Sequence, residues 1–131
     1  MLTRECRVIV ADGHPEMHRI ISDILGRDFQ IVAAVQDGEA LVVEETRVNP
    51  TLIIADVRMP RLSGLRAWEH IRRRNPQCKI IFLSTDNDEA YRMAAIEADA
   101  SGWIIKSSVS TELLTAVHCV LEGGLYLTVN G

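Results

Sequence analysis

Short apolar runs alternate with longer amphipathic stretches along this chain. The runs are Val8-Ile9-Val10-Ala11, Ile31-Val32-Ala33-Ala34, Leu52-Ile53-Ile54-Ala55, Ile80-Ile81-Phe82-Leu83 and Trp103-Ile104-Ile105. Each has the length of a strand and is apolar at nearly every position, the pattern of strands buried on both faces of a parallel sheet. Between them apolar residues recur at helical spacing. A first helix opens at His14-Pro15, where proline suits the first turn, and carries Met17, Ile20, Ile21, Ile24 and Leu25 on one face. Gly38 precedes a second, less regular helix through Ala40, Leu41, Val43 and Val48, which Asn49-Pro50 ends. Ser63-Gly64 introduces a third, with Leu65, Trp68 and Ile71 inward and Arg72-Arg73-Arg74 mostly outward, before Asn75-Pro76 stops it. A fourth runs from about Asp88 through Tyr91, Ala94, Ala95 and Ile96. A fifth starts at Ser110 or Thr111, passes Leu113, Leu114, Val117 and Leu121, and closes at Gly123-Gly124. The alternation predicts an α/β chain, a doubly wound five-stranded parallel sheet with five helices.

Right-handed crossovers bring the carboxyl ends of parallel strands to one edge, where ligands of open α/β sheets bind. Asp12, Asp56, Ser84 and Lys106 each fall just beyond a strand, the first, third, fourth and fifth respectively, so they are expected to share a pocket. Asp56 is the sharpest of the four. The apolar run Leu52-Ile53-Ile54-Ala55 stops at this acid, turns at Pro60 and restarts as a helix after Ser63-Gly64. A carboxylate so placed can attack a phosphoryl group and form an acyl phosphate, provided a divalent cation and nearby donors offset the repulsion between the two anions. Asp12 and Asp56 offer hard oxygen ligands for Mg2+, Lys106 a point charge, and the Ser84 hydroxyl a further donor.

At 131 residues the chain is one ordinary domain. Its 14 basic against 18 acidic residues give a net charge of −4, which disfavours direct binding to a nucleic-acid backbone. Cys6, Cys78 and Cys119 match no metal or redox spacing and read as packing residues in a reducing compartment. The polar start of the chain is no signal peptide, and no apolar run reaches membrane-spanning length. A soluble, cytoplasmic protein is expected. There is no Gly-rich dinucleotide fingerprint or P-loop, so an enzyme acting on an outside substrate has less support.

Ala11-Asp12-Gly13-His14-Pro15, Asp56-Val57-Arg58-Met59-Pro60 with Ser63-Gly64, Leu83-Ser84, and Ala100-Ser101-Gly102-Trp103-Ile104-Ile105-Lys106 together resemble the receiver domains of two-component response regulators, over nearly the whole chain. The resemblance implies a flavodoxin-like fold. It makes Asp56 the acceptor of a phosphoryl group from a sensor histidine kinase, in a Mg2+-dependent reaction that the domain catalyses on itself, along with its reversal. Asp12, Asp56 and the backbone carbonyl of Arg58 would hold the metal, Lys106 would be the cation, Ser84 the switch hydroxyl and Trp103 the switch aromatic. Lys106-Ser107 and Glu122-Gly123-Gly124-Leu125-Tyr126-Leu127 are similar to the subgroup that carries a C-terminal LuxR-type helix-turn-helix. By that likeness residues 1–122 are the receiver domain, residues 123–131 begin a linker or tail, and DNA is reached only through an output domain that these residues do not contain. A homodimer is a further implied assembly.

The chain departs from that pattern at Gly13, which stands where a second metal-ligating acid is usual. One fewer negative ligand weakens Mg2+, since water fills the coordination position without replacing the charge. Two readings stay open: a working acceptor that needs more Mg2+, and an atypical receiver acting as a phosphorylation-independent dimerisation or docking module. Glu16, in the first helical turn, is either a substitute ligand or an acid favouring the helix dipole. His14 and His18 have a helical metal spacing but no further ligand of their own. Thr85 is expected to crowd the path to Asp56, and Arg58 and Asp86 to pair across the pocket mouth and shape access by water. Ser84 has the alternative of bonding its own turn, and Trp103 that of packing alone.

Overall fold

In the computed structural model, which describes residues 5–128, the strands are β1 (Arg7–Ala11), β2 (Gln30–Val35), β3 (Leu52–Asp56), β4 (Lys79–Ser84), β5 (Gly102–Ile105) and β6 (Tyr126–Leu127). The helices are α1 (Pro15–Leu25), α2 (Gly38–Val48), α3 (Gly64–Arg74), α4 (Glu89–Glu97) and α5 (Val109–Leu121). The sheet is parallel throughout, in the order β2-β1-β3-β4-β5-β6.

Because side chains alternate along a strand, continuous apolar runs feed two cores. Ile9, Ala11, Ile53, Ala55, Ile80 and Phe82 point to one face, where Leu41 and Val48 of α2, Ala67, Trp68 and Ile71 of α3, and Ala95 of α4 cover them. Val8, Val10, Leu52, Ile54, Ile81 and Leu83 point to the other, under Ile21 and Leu25 of α1 and Leu113, Ala116, Val117 and Val120 of α5. Most of these side chains are fully buried, the larger aliphatic and aromatic ones contributing about 1.5–3 kcal/mol of transfer free energy each. Trp68 adds a buried bond from its indole nitrogen to the Ala98 carbonyl at 2.8 Å.

Helix boundaries follow local chemistry. Proline occupies the first turn of α1 as expected. Asp37, Ser63 and Asp88 cap α2, α3 and α4, each accepting from a backbone amide three residues on, at 2.8, 3.1 and 3.1 Å. Asn49 ends α2 in the left-handed conformation, φ 47°. The fifth helix begins at Val109, slightly before the expected start, after a 3-10 turn at Lys106–Ser108.

The sheet has six strands, not the five expected. Gly123, at φ 93°, reverses the chain after α5, and Gly124 N–H donates to the Cys119 carbonyl at 2.9 Å. The returning segment lies on the open edge of β5, with Tyr126 N–H on the Ser101 carbonyl and Thr128 N–H on the Trp103 carbonyl, both 2.9 Å. The Tyr126 hydroxyl, 2.7 Å from Glu112 Oε1, ties it to α5. A strand of two residues is too short to leave a periodic signature, so Leu125-Tyr126-Leu127 reads from sequence as the start of a tether. Among the described residues no helix is long and apolar enough to cross a membrane.

Candidate functional site

The carboxyl edge of β1, β3 and β5 gathers Asp12, Asp56 and Lys106. Asp12 follows β1, its amide held by the Val35 carbonyl at 3.0 Å. Asp56 ends β3, its main chain pinned between β4, through Val57 N–H to the Leu83 carbonyl at 2.9 Å, and the start of α3. Gly64 lies so close to the Asp56 carbonyl that a Cβ there would overlap it. That approach explains why a glycine opens α3. Asp12 is wholly buried, Asp56 is 6 % exposed, and Lys106 reaches in from the end of β5 with a largely covered side chain.

Lys106 Nζ stands 2.8 Å from Asp56 Oδ2 and 2.8 Å from Asp12 Oδ2. The ammonium thus bridges two buried carboxylates that would otherwise repel each other. Burial works to lower the Lys106 pKa, but the hydrogen bonds and charges of Asp12 and Asp56 outweigh it and raise the pKa above the usual lysine value, so the bridge stays charged. Asp56 Oδ1 accepts the Arg58 amide at 3.0 Å, which leaves the carboxylate aimed by two donors. Asp12 Oδ1 accepts the His14 amide at 2.8 Å, while its buried Oδ2 faces Lys106 Nζ.

His14 also belongs to this cluster, which the sequence reading did not anticipate. Its Nδ1 lies 3.0 Å from Asp12 Oδ1 and 3.5 Å from Lys106 Nζ. Ligand atoms of Asp12, His14 and Asp56 all fall within 4.8 Å of one another. The signal was present in Asp12-Gly13-His14, an acid and an imidazole two residues apart at a strand end. It was masked by the helical spacing of His14 and His18. His18 instead directs Nε2 at the main-chain oxygen of Asp12, at 2.9 Å. The proposed substitute ligand Glu16 is exposed on the first turn of α1 and stands outside the cluster. Two buried carboxylates beside an imidazole are a donor set that fits a divalent cation.

The other residues singled out by sequence are in different states. Ser84 ends β4, but its hydroxyl donates to the Asp86 carbonyl at 2.5 Å, within its own turn. Thr85 is exposed and, with His14, Pro15, Met17, Ile20 and Lys106, lines a cavity of about 400 Å³ beside the carboxylates. Arg58 does not pair with Asp86 as expected. It pairs with Asp88, the cap of α4, and its guanidinium lies 4.6 Å from the centre of the Tyr91 ring. The two-residue step to Asp88 matters because the capping carboxylate faces back across the loop, whereas Asp86 contributes its carbonyl to Ser84. Trp103 is 1 % exposed and packed in the same core as Phe82, and among the described residues its indole nitrogen has no hydrogen-bond partner. Cys6 and Cys78 are buried, and desolvation pushes their thiols up to about 11 and about 12, so both are inert packing groups.

The family model of the response regulator receiver domain matches residues 8–118. The transcriptional regulatory protein DegU of Brevibacillus brevis is 31% identical over 123 residues, covering 92% of this chain and 52% of DegU. The chain therefore spans about half the length of that relative. The crystal structure of a LuxR-family two-component response regulator from an Aurantimonas species superposes with a TM-score of 0.88 at 25% identity, covering 95% of this chain and 90% of that one. The isolated receiver domain of RcsB from Salmonella enterica serovar Typhimurium, in the presence of the phosphomimetic BeF3-, gives a TM-score of 0.86 at 26% identity, covering 95% and 94%. The clustered acids and lysine, the parallel sheet and these similarities converge: the chain belongs to the response regulator receiver family, with LuxR-family regulators among its relatives.

Proposed function

We propose that Asp56 accepts a phosphoryl group from a sensor histidine kinase, and that the acyl phosphate shifts the domain between two packings that control a DNA-binding output domain. One observation carries the reading: Lys106 Nζ within 2.8 Å of both Asp56 and Asp12, at the ends of three different strands. A carboxylate oxygen of Asp56 attacks phosphorus, the new C–O–P linkage forms, and the phosphorus–nitrogen bond of a phosphohistidine breaks, returning the electron pair to the imidazole. Lys106 already sits on the carboxylate that must react, ready to stay with the oxygens that gain charge. The Arg58 amide holds the second Asp56 oxygen in place. Mg2+, when bound, supplies positive charge to offset the repulsion between the two anions, and Asp12 and Asp56 are the side chains that would hold it, with the Arg58 carbonyl.

Ser84 is the mobile donor of this scheme. Its hydroxyl leaves the Asp86 carbonyl for a phosphoryl oxygen, and Trp103, already inside the core, shifts with β4 and β5. The gate is a population shift between two packings. Thr85, on the cavity wall, and Arg58, held by Asp88, set the access of water to the acyl phosphate. The domain catalyses at most its own phosphorylation and dephosphorylation. Residues 1–122 carry the acceptor chemistry, Tyr126–Leu127 add β6 to its sheet, and the chain works in the cytoplasm, alone or as a homodimer. Intact-mass spectrometry after acetyl phosphate with Mg2+ tests this: one added phosphoryl group, absent from Asp56→Asn, supports it, and no added mass at saturating Mg2+ removes it.

Gly13 favours a second reading, a docking or dimerisation module that signals without phosphate. Undiminished output from an Asp56→Asn full-length regulator in cells would select it over the first.

A further inference from the structure

The loop that lost an acid at Gly13 holds an imidazole one residue later. Gly13 has no side chain to offer, and a carboxylate ligand is missing from the edge of β1. His14 stands just before α1 with an extended backbone, φ −109° and ψ 112°, and makes no side-chain cap bond to the helix. Its amide instead donates to Asp12 Oδ1 at 2.8 Å, which folds the residue back so that Nδ1 lies 3.0 Å from the same oxygen. Three-quarters of the His14 side chain is exposed, so the ring can turn without disturbing the core. His18 is unlike it, since its Nε2 is committed to the main chain of Asp12.

From this placement we infer that His14 is a metal ligand, and that it makes the acceptor centre an Asp12–His14–Asp56 site preferring divalent transition ions such as Co2+ and Mn2+ over Mg2+. Metal–ligand bonds of about 2.1 Å let two donors on one ion stand up to about 4.2 Å apart. The ligand atoms lie within 4.8 Å of one another, and His14 Nδ1 is already 3.0 Å from Asp12 Oδ1, so a shift of about half an ångström closes the set. Lys106 holds the charge balance of the two carboxylates in the metal-free state, and an arriving ion loosens its hold on Asp12. Imidazole nitrogen is a poor ligand for Mg2+, which takes oxygen and water, but suits first-row transition ions. The inference rests on reading this edge as a metal-assisted acceptor, and it deepens that reading by naming the cation.

The test is calorimetric titration of the whole chain with Co2+, Mn2+ and Mg2+ separately, at one pH, for the unaltered protein and for His14→Ala. Simple ligand-field ordering already favours Co2+ over Mn2+, so the measured quantity is the ratio of transition-ion to Mg2+ affinity. His14→Ala is expected to lower that ratio by about tenfold or more. In the unaltered protein labelled with ¹⁵N-histidine, diamagnetic Zn2+ is expected to shift the His14 ring nitrogens, and Mg2+ to leave them in place. An unchanged ratio in His14→Ala, or Zn2+ bound without a shift at His14, overturns the inference. The phosphoryl mass on Asp56 reports separately. A chain that takes phosphate with an unchanged ratio refutes only the role of His14, and one that binds Co2+ through His14 without taking phosphate refutes only the acceptor reading.

Discussion

Restoring an acid at position 13 isolates the electrostatic deficit of the site, and the surroundings allow it. A Cβ on Gly13 would lie 3.7 Å from the Gln36 carbonyl oxygen and 3.7 Å from Pro60 Cδ, ordinary contact distances, and the backbone there is not in the left-handed region. Gly13→Asp therefore changes charge with little steric strain. Without metal, a third carboxylate joins Asp12 and Asp56 against the single ammonium of Lys106. At about 5 Å and an effective dielectric constant near 20, each like-charge pair costs about 3 kcal/mol gross, and the ammonium offsets one of the two. Solvent at the rim of the loop screens the remainder to about 1–2 kcal/mol, the expected loss of metal-free stability. With metal the sign reverses. A net gain of about 1.4–2.8 kcal/mol corresponds to about 10- to 100-fold tighter Mg2+. Calorimetric titration with Mg2+ gives the affinity, and urea unfolding with and without Mg2+ gives the stabilities, which saturating Mg2+ restores by mass action. A folded Gly13→Asp protein with unchanged Mg2+ affinity would refute the claim that the missing carboxylate limits metal binding.

Further outcomes follow from other contacts. Lys106→Met is expected to slow phosphorylation of Asp56 by about 10²–10³-fold, measured as phosphoryl mass against time, because the donor on the reacting carboxylate is gone; a rate within threefold (about 0.7 kcal/mol) of the unaltered protein would sink that role. Gly64→Ala pushes a methyl into the Asp56 carbonyl and is expected to cost about 1–3 kcal/mol in urea unfolding and to weaken BeF3- binding, whereas unaltered stability would show the helix start to be loosely held. Tyr126 has its phenol pushed up to about 12 from 10.0, by its bond to Glu112 first and by burial second. The bond stabilises β6 fully below pH 10 and is lost as pH rises towards about 12. In a Tyr91→Phe background, phenolate absorbance reads Tyr126 alone, and Glu112→Ala is expected to bring its midpoint down towards 10; an unmoved midpoint removes the tie between β6 and α5.

The hydrophobic pattern alone determined most of the architecture. Five apolar runs and five amphipathic stretches became β1 to β5 and α1 to α5, because strands buried on both faces, as β1, β3, β4 and β5 are, have few polar positions to spare and a helix must hide one stripe; β2, at the edge of the sheet, is only partly buried despite its apolar run. Connection handedness then brought Asp12, Asp56 and Lys106 to one edge, so this part of the site was legible from strand ends. What the sequence could not decide was set by backbone hydrogen bonds and side-chain direction. The sixth strand exists because β5 left an open edge that a two-residue segment could pair with, a tertiary opportunity invisible in its own residues. Arg58 met Asp88 instead of Asp86 because the capping geometry of α4 turned one carboxylate towards it. Ser84 bonded its own turn, through the carbonyl two residues on, and Trp103 was already buried against residues of other strands and helices. His14 came to the carboxylates through a hydrogen bond from its own amide to Asp12, a fold-back that residue spacing suggests only once the strand end is seen in three dimensions.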